Sequence, residues 1–198
     1  MRSKDAKLLR ACRTGDLEMA REAISAGADV NVRTGKLGGT PLFIAVDGNE
    51  RKIVKLLIAA GADVNARASN GLPILILACT HDERGGALEL IRSGADPNVR
   101  WREHSGERPL HLAHRPAMVR ALIEAGADIN ARDARGWTPI MHLVVTSDWE
   151  AARILIAAGA DTTAREKRGR TAAELLEEVK LLSVCPPADI ASALGISG

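Results

Sequence analysis

The residues of this chain best suited to chemistry are its histidines and cysteines. His111 and His114 stand three apart, which puts both on one face of a short helix. His142 falls in the next such helix and Cys79 in the one before. Imidazole and thiolate are zinc ligands, so His111, His114, His142 and Cys79 define a candidate metal-dependent site. No second pair of ligands at short spacing reinforces it. Other machinery is missing: there is no Gly-x-Ser-x-Gly elbow, no His-Glu-x-x-His and no phosphate-cradling glycine loop ending in Lys-Ser or Lys-Thr. The other cysteines, Cys12 and Cys185, are widely spaced from Cys79, and an odd count of three does not make a disulfide framework. A reducing cytoplasm is the expected compartment.

The elements that hold these residues repeat. Gly-Ala-Asp occurs at Gly27, Gly61, Gly94, Gly126 and Gly159, at intervals of 34, 33, 32 and 33 residues. Upstream of each lies an amphipathic run such as Ile53, Val54, Leu56, Leu57 and Ile58, whose spacing predicts a helix with Leu57 in the core. The glycine ends that helix in a left-handed position. A polar stretch such as Asn65-Ala66-Arg67 reads as a turn or hairpin. The next helix opens at Thr40-Pro41 or Thr138-Pro139, a hydroxyl cap followed by proline at the first helical position, or at Thr171 with Glu174 in a capping box. One such helix pair has no core of its own, whereas stacked pairs share one.

These residues resemble the ankyrin repeat. Thr40-Pro41-Leu42, Thr14-Gly15-Asp16-Leu17-Glu18 and Gly61-Ala62-Asp63-Val64-Asn65 carry the resemblance, which extends over roughly residues 4–180. It implies an all-α solenoid of stacked helix-turn-helix units with short hairpin fingers. Residues 3–32 read as an N-terminal cap, 35–67, 68–100, 101–132 and 133–165 as internal repeats, and 166–198 as a C-terminal cap. The resemblance also implies a non-catalytic function, with no cofactor: a monomer binding a partner protein through its concave face and fingers. It gives His111 a structural alternative as well, bonding backbone groups between repeats.

The departures from the repeat are where a unique partner would be read. From the Asp of each stop to the next helix-start proline the chain runs 12, 10, 13 and 11 residues, so the finger over 97–108 is the longest. From that proline to the next stop it runs 20, 21, 17 and 20 residues, so the first helix after Pro109 must be very short. Leu72 and Arg108 stand where a capping threonine is expected, and Gly85-Gly86 weakens a helix start by ~1 kcal/mol per glycine against alanine.

Trp101 lies in the longest finger between Arg100 and Arg102, with His104 nearby, the composition of a binding hot spot. The other reading folds Trp101 back on its own hairpin. Trp137 precedes Thr138-Pro139, where half-exposure is expected. Arg33, Arg67, Arg100, Arg132 and Arg165 recur at one offset from the stops. They read either as a guanidinium row for an acidic partner or nucleic acid, or as a solvated row paired locally. The net charge, +2 from 27 basic and 25 acidic residues, disfavours nucleic acid and membrane as main partners. The first ten residues lack a secretory apolar stretch, and no uninterrupted apolar run is long enough to span a bilayer.

Overall fold

The computed structural model describes residues 2–34, 38–81, 86–101, 105–179 and 185–196. The chain forms two compact units, 1–103 and 104–198. In the first unit α1 (Ser3–Thr14), α2 (Leu17–Ser25), α3 (Pro41–Asp47), α4 (Arg51–Ala59), α5 (Ile74–Thr80) and α6 (Ala87–Arg92) follow one another. First helices stack on first helices, α1 on α3 and α3 on α5, and second helices stack likewise, α2 on α4 and α4 on α6. In the second unit a 3-10 turn (Pro109–His111) precedes α7 (Pro116–Glu124), α8 (Pro139–Val145), α9 (Trp149–Ala157), α10 (Ala172–Val179) and α11 (Ala188–Ala193). There α8 packs on the 3-10 turn, α9 and α10, while α7 and α11 pack on α9. This is the expected all-helical stack of helix-turn-helix repeats. Among the described residues, strand pairing is confined to two isolated bridges, Thr34 with Gly39 and Arg67 with Pro73.

The repeated signature explains the stacking. The five Gly-Ala-Asp glycines have φ between 77° and 91°, which side chains with a Cβ rarely adopt. The Asp of each stop then folds its own turn: Asp29, Asp63 and Asp128 each accept from the amide two residues on. The following asparagine reaches the neighbouring repeat. Asn31 Oδ1 accepts from the Asp63 amide, Asn65 from Asp96 and Asn130 from Asp161, each at 2.8 Å. One asparagine per repeat therefore satisfies a backbone donor that the next turn leaves open.

Leu57 is fully buried, as the stripe on α4 predicts, with Leu8, Leu42 and Leu90. Leu110, Leu122, Ile140 and Leu155 fill the second unit. The two Thr-Pro starts diverge. Thr40 Oγ1 accepts from the Phe43 amide at 3.2 Å. At Thr138 the side chain makes no cap bond, its hydroxyl is buried without a partner, and its amide meets Met141 Sδ at 3.4 Å. At the hydroxyl-less starts no side chain caps the helix, and other backbone donors are satisfied instead. The Ile74 amide donates to Ala66 O at 3.0 Å, and the Arg108 amide donates to His111 Nδ1 at 3.1 Å. Gly86 caps α6 with ordinary φ, and a Cβ there would stand 2.6 Å from Val54 Cγ1 on α4. The glycine expected to weaken the helix is what lets α6 approach α4.

Candidate functional site

Asp133 opens the finger between α7 and α8. Its amide donates to Trp137 O at 3.0 Å, and the Gly136 amide donates back to Asp133 O at 3.1 Å, closing a tight loop. Inside it Asp133 Oδ1 accepts from the Arg135 and Trp137 amides, both at 2.8 Å. That leaves Oδ2, which lies 3.2 Å from Arg135 Nε and 3.4 Å from His142 Nε2. Burial alone would raise the Asp133 pKa. The bonds from His142, the two amides and the Arg135 side chain outweigh it and hold the carboxyl far below the usual carboxylate range. His142 projects from α8 and is edge-on to the Trp137 ring, 5.2 Å between centroids, and to the His111 ring, 5.4 Å.

Glu107 enters from the preceding finger. The Ala134 amide donates to Ser105 O at 2.7 Å, tying the two fingers, and the Ser105 hydroxyl donates to Glu107 Oε2. The result is a cluster of Glu107, Asp133 and His142 whose ligand atoms all lie within 4.8 Å of one another. Carboxylate oxygens and an imidazole nitrogen form a donor set that zinc accepts, with bonds of ~2.0–2.2 Å. Closing on an ion would draw the three atoms together by up to about 1.4 Å, and the Arg135 guanidinium would have to turn away from Oδ2. Half-buried Glu107 and the exposed side chain of Arg135 have room for both movements.

The metal set expected from sequence is not the one assembled. His111 is fully buried. Its Nδ1 must accept, because the Arg108 amide has only a proton to offer, so Nε2 carries the ring proton and faces Ala131 O at 3.1 Å and Trp137 O at 3.2 Å. Both nitrogens are committed to backbone, and burial with the neighbouring His142 lowers the pKa to about 4. His114 does not share a helical face with His111, because the 3-10 turn ends first; it pairs instead with Asp148 Oδ2 at 2.8 Å. Cys79 is buried in the first unit, and burial pushes its thiol up to about 12, which suppresses thiolate chemistry. Only His142 of that set belongs to the cluster. Glu107 and Asp133 are 26 residues apart in separate fingers that the Ser105–Ala134 bond ties together, so sequence spacing does not pair them. The one signal in the sequence is an Asp three residues before a Gly in a turn, at Asp133 and Gly136.

The arginine row is present within each unit and is tied to backbone. Arg33 Nη1 donates to Gly38 O at 3.4 Å and to Arg67 O at 3.1 Å. Arg67 Nη1 donates to Gly71 O and Arg100 O, and Arg132 Nη1 to Gly136 O and Arg165 O. Trp101 is half-buried. Arg102 and His104 lie outside the described residues. Trp137 is half-buried, with the Arg135 guanidinium 4.3 Å above its ring. No helix among the described residues is long and apolar enough to cross a membrane.

Comparison with known proteins places these observations. A mitochondrial disaggregase from Bos taurus is 32% identical over 145 residues, 70% of this chain. The Notch protein of Drosophila melanogaster is 36% identical over 115 residues, 57% of this chain, and the NF-kappa-B inhibitor delta of Mus musculus is 26% identical over 149 residues, 64% of this chain. The chain spans 21%, 4% and 45% of those three proteins. Among solved structures it is similar to a chain of the complex of a predatory endopeptidase from Bdellovibrio bacteriovorus with an immunity protein. That likeness has TM-score 0.82 and 24% identity and covers 97% of this chain and 98% of that one. At this identity it establishes a shared fold.

The expectation of a non-catalytic binding module, neither an enzyme nor a metal protein, does not stand. The Glu107–Asp133–His142 cluster could hold a metal ion, which a reading without a metal site leaves out. Sequence spacing does not reveal this cluster, because it is made by two fingers tied through backbone. The family model for ankyrin repeats matches residues 8–101 and 75–166, and with this repeat architecture the chain belongs to the ankyrin-repeat family.

Proposed function

We propose that this chain is a metal-ligating ankyrin-repeat protein, in which Glu107, Asp133 and His142 hold one divalent cation, and that it engages a protein partner. The observation that carries the reading is the convergence of the three ligand atoms within 4.8 Å. Glu107, Asp133 and His142 would hold the ion, and a zinc ion there would supply Lewis-acid activation of water for metal-assisted hydrolysis. Asp133, fixed by two backbone amides, is the rigid ligand, and Glu107 is the adjustable one. Calorimetric titration of zinc into chelator-stripped protein should give one site per chain. Glu107→Gln, which leaves the buried Asp133 turn intact, should weaken it at least about tenfold. Hydrolysis of an unfolded protein substrate should depend on the ion and fall with the same variant. Absence of stoichiometric binding would reduce the cluster to a hydrogen-bonded network that braces the two fingers.

The solved endopeptidase–immunity protein complex supports a protein as the partner. The surfaces we assign to it are the finger around Trp101, Arg102 and His104, the row of Arg33, Arg67, Arg100 and Arg132, and Trp137. Trp101→Ala is expected to weaken partner binding by about 30-fold with an unchanged melting temperature. A lowered melting temperature with unchanged binding would make Trp101 a packing residue of its own finger. Cys12, Cys79 and Cys185 are free thiols, which supports a reducing cytoplasm as the compartment.

A further inference from the structure

Beside the cluster, on the outer side of the same finger, lies a groove of about 440 Å³ lined by Arg135, Trp137, Glu166, Lys167, Arg168 and Arg170. We infer that this groove binds a short acidic segment of a protein partner, an apolar side chain lying against Trp137 and its carboxylates meeting Lys167 and Arg168. The groove presents four cations and one acid. Glu166 is already occupied, its Oε1 accepting from Arg170 Nε at 3.0 Å, and Arg170 also pairs with Glu178. Arg135 Nε is held by Asp133. Lys167 and Arg168 are exposed and form no ion pair among the described residues. The groove therefore carries unneutralised positive charge next to an aromatic wall.

The wall is shaped for a side chain rather than for a base. One face of Trp137 is covered by the Arg135 guanidinium at 4.3 Å, and His142 stands edge-on to the ring at 5.2 Å. A nucleobase needs an open aromatic face on which to stack, and a chain of net charge +2 offers little long-range attraction to a phosphate polymer. Carboxylates need only the local surplus, and guanidinium and ammonium groups near low-dielectric aromatic surface bind them more strongly than in open water. The groove is also preformed. The Lys167 amide donates to Arg135 O at 3.1 Å, which locks the finger over 133–137 against the turn over 166–170, so little ordering is required on binding. This site is separate from the arginine row, whose Nη1 donors are spent on backbone carbonyls.

The test uses the full chain in the presence of a chelator, so that its outcome is independent of metal binding at Glu107, Asp133 and His142. A fluorescein-labelled peptide of sequence Asp-Leu-Glu-Asp-Leu-Glu is titrated with the protein and followed by anisotropy, beside its Asn/Gln counterpart and a single-stranded oligouridylate. The acidic peptide should bind at least about tenfold more tightly than the neutral one and weaken with added salt. Lys167→Glu combined with Arg168→Glu should abolish that preference, with an unchanged circular dichroism spectrum because both side chains are exposed. Equal binding of the two peptides, an unaffected double variant, or tighter binding of the oligouridylate would each overturn the assignment.

Discussion

His111 and Asp133 show how a single side chain here serves backbone before it serves chemistry. His111 accepts from the Arg108 amide and donates to two carbonyls across the repeat boundary, a task that only neutral imidazole performs. Its folded pKa lies near 4 against an ordinary 6.5, so the unfolded chain binds the extra proton first. Stability is then fully present above about pH 6.5 and falls as the pH drops from 6.5 toward 4, by up to ~3 kcal/mol. Below that both states are protonated and the contribution is gone. Urea unfolding across pH 4–7 should show this loss in the parent chain and a flatter profile in His111→Gln. Identical slopes would place the pH dependence elsewhere. The resemblance to ankyrin repeats had offered this structural role for His111, whereas its position beside His114 suggested a metal ligand. Spacing alone did not decide between them, because whether His114 continues the helix depends on where the 3-10 turn stops.

At the scale of elements, periodicity made the repeats legible. The Gly-Ala-Asp stops, the apolar stripe through Leu57 and the short element after Pro109 are all local consequences of residue order, and each is where the spacing puts it. Close approaches between elements were not legible. Gly86 reads as a helix weakener, yet α6 passes so near α4 that a Cβ would meet Val54 at 2.6 Å. Gly86→Ala should therefore lower stability by ~1–3 kcal/mol in equilibrium unfolding, as an overpacked core does. An unchanged or raised stability would show that α6 shifts to accommodate the methyl. The same limit hid the cluster. Glu107 and Asp133 sit in separate fingers, which the amide of Ala134 ties together by bonding to Ser105 O.

At the scale of the whole molecule, the two units are built from one repeated plan, and the second carries the features the plan does not require. It contains the shortened first helix, the Glu107–Asp133–His142 cluster and the basic groove beside Trp137. A repeat family that uses its scaffold to hold side chains in fixed register is suited to such additions, because backbone bonds between turns set the geometry before any ligand arrives. Whether Glu107, Asp133 and His142 hold a metal ion is tested by anomalous diffraction at the zinc edge from crystals grown with one equivalent of zinc. A single anomalous peak is expected within about 2.0–2.2 Å of His142 Nε2 and one oxygen each of Glu107 and Asp133, with Arg135 turned away from Oδ2. An empty cluster with Arg135 still bound to Asp133, in crystals where zinc is present, would contradict it.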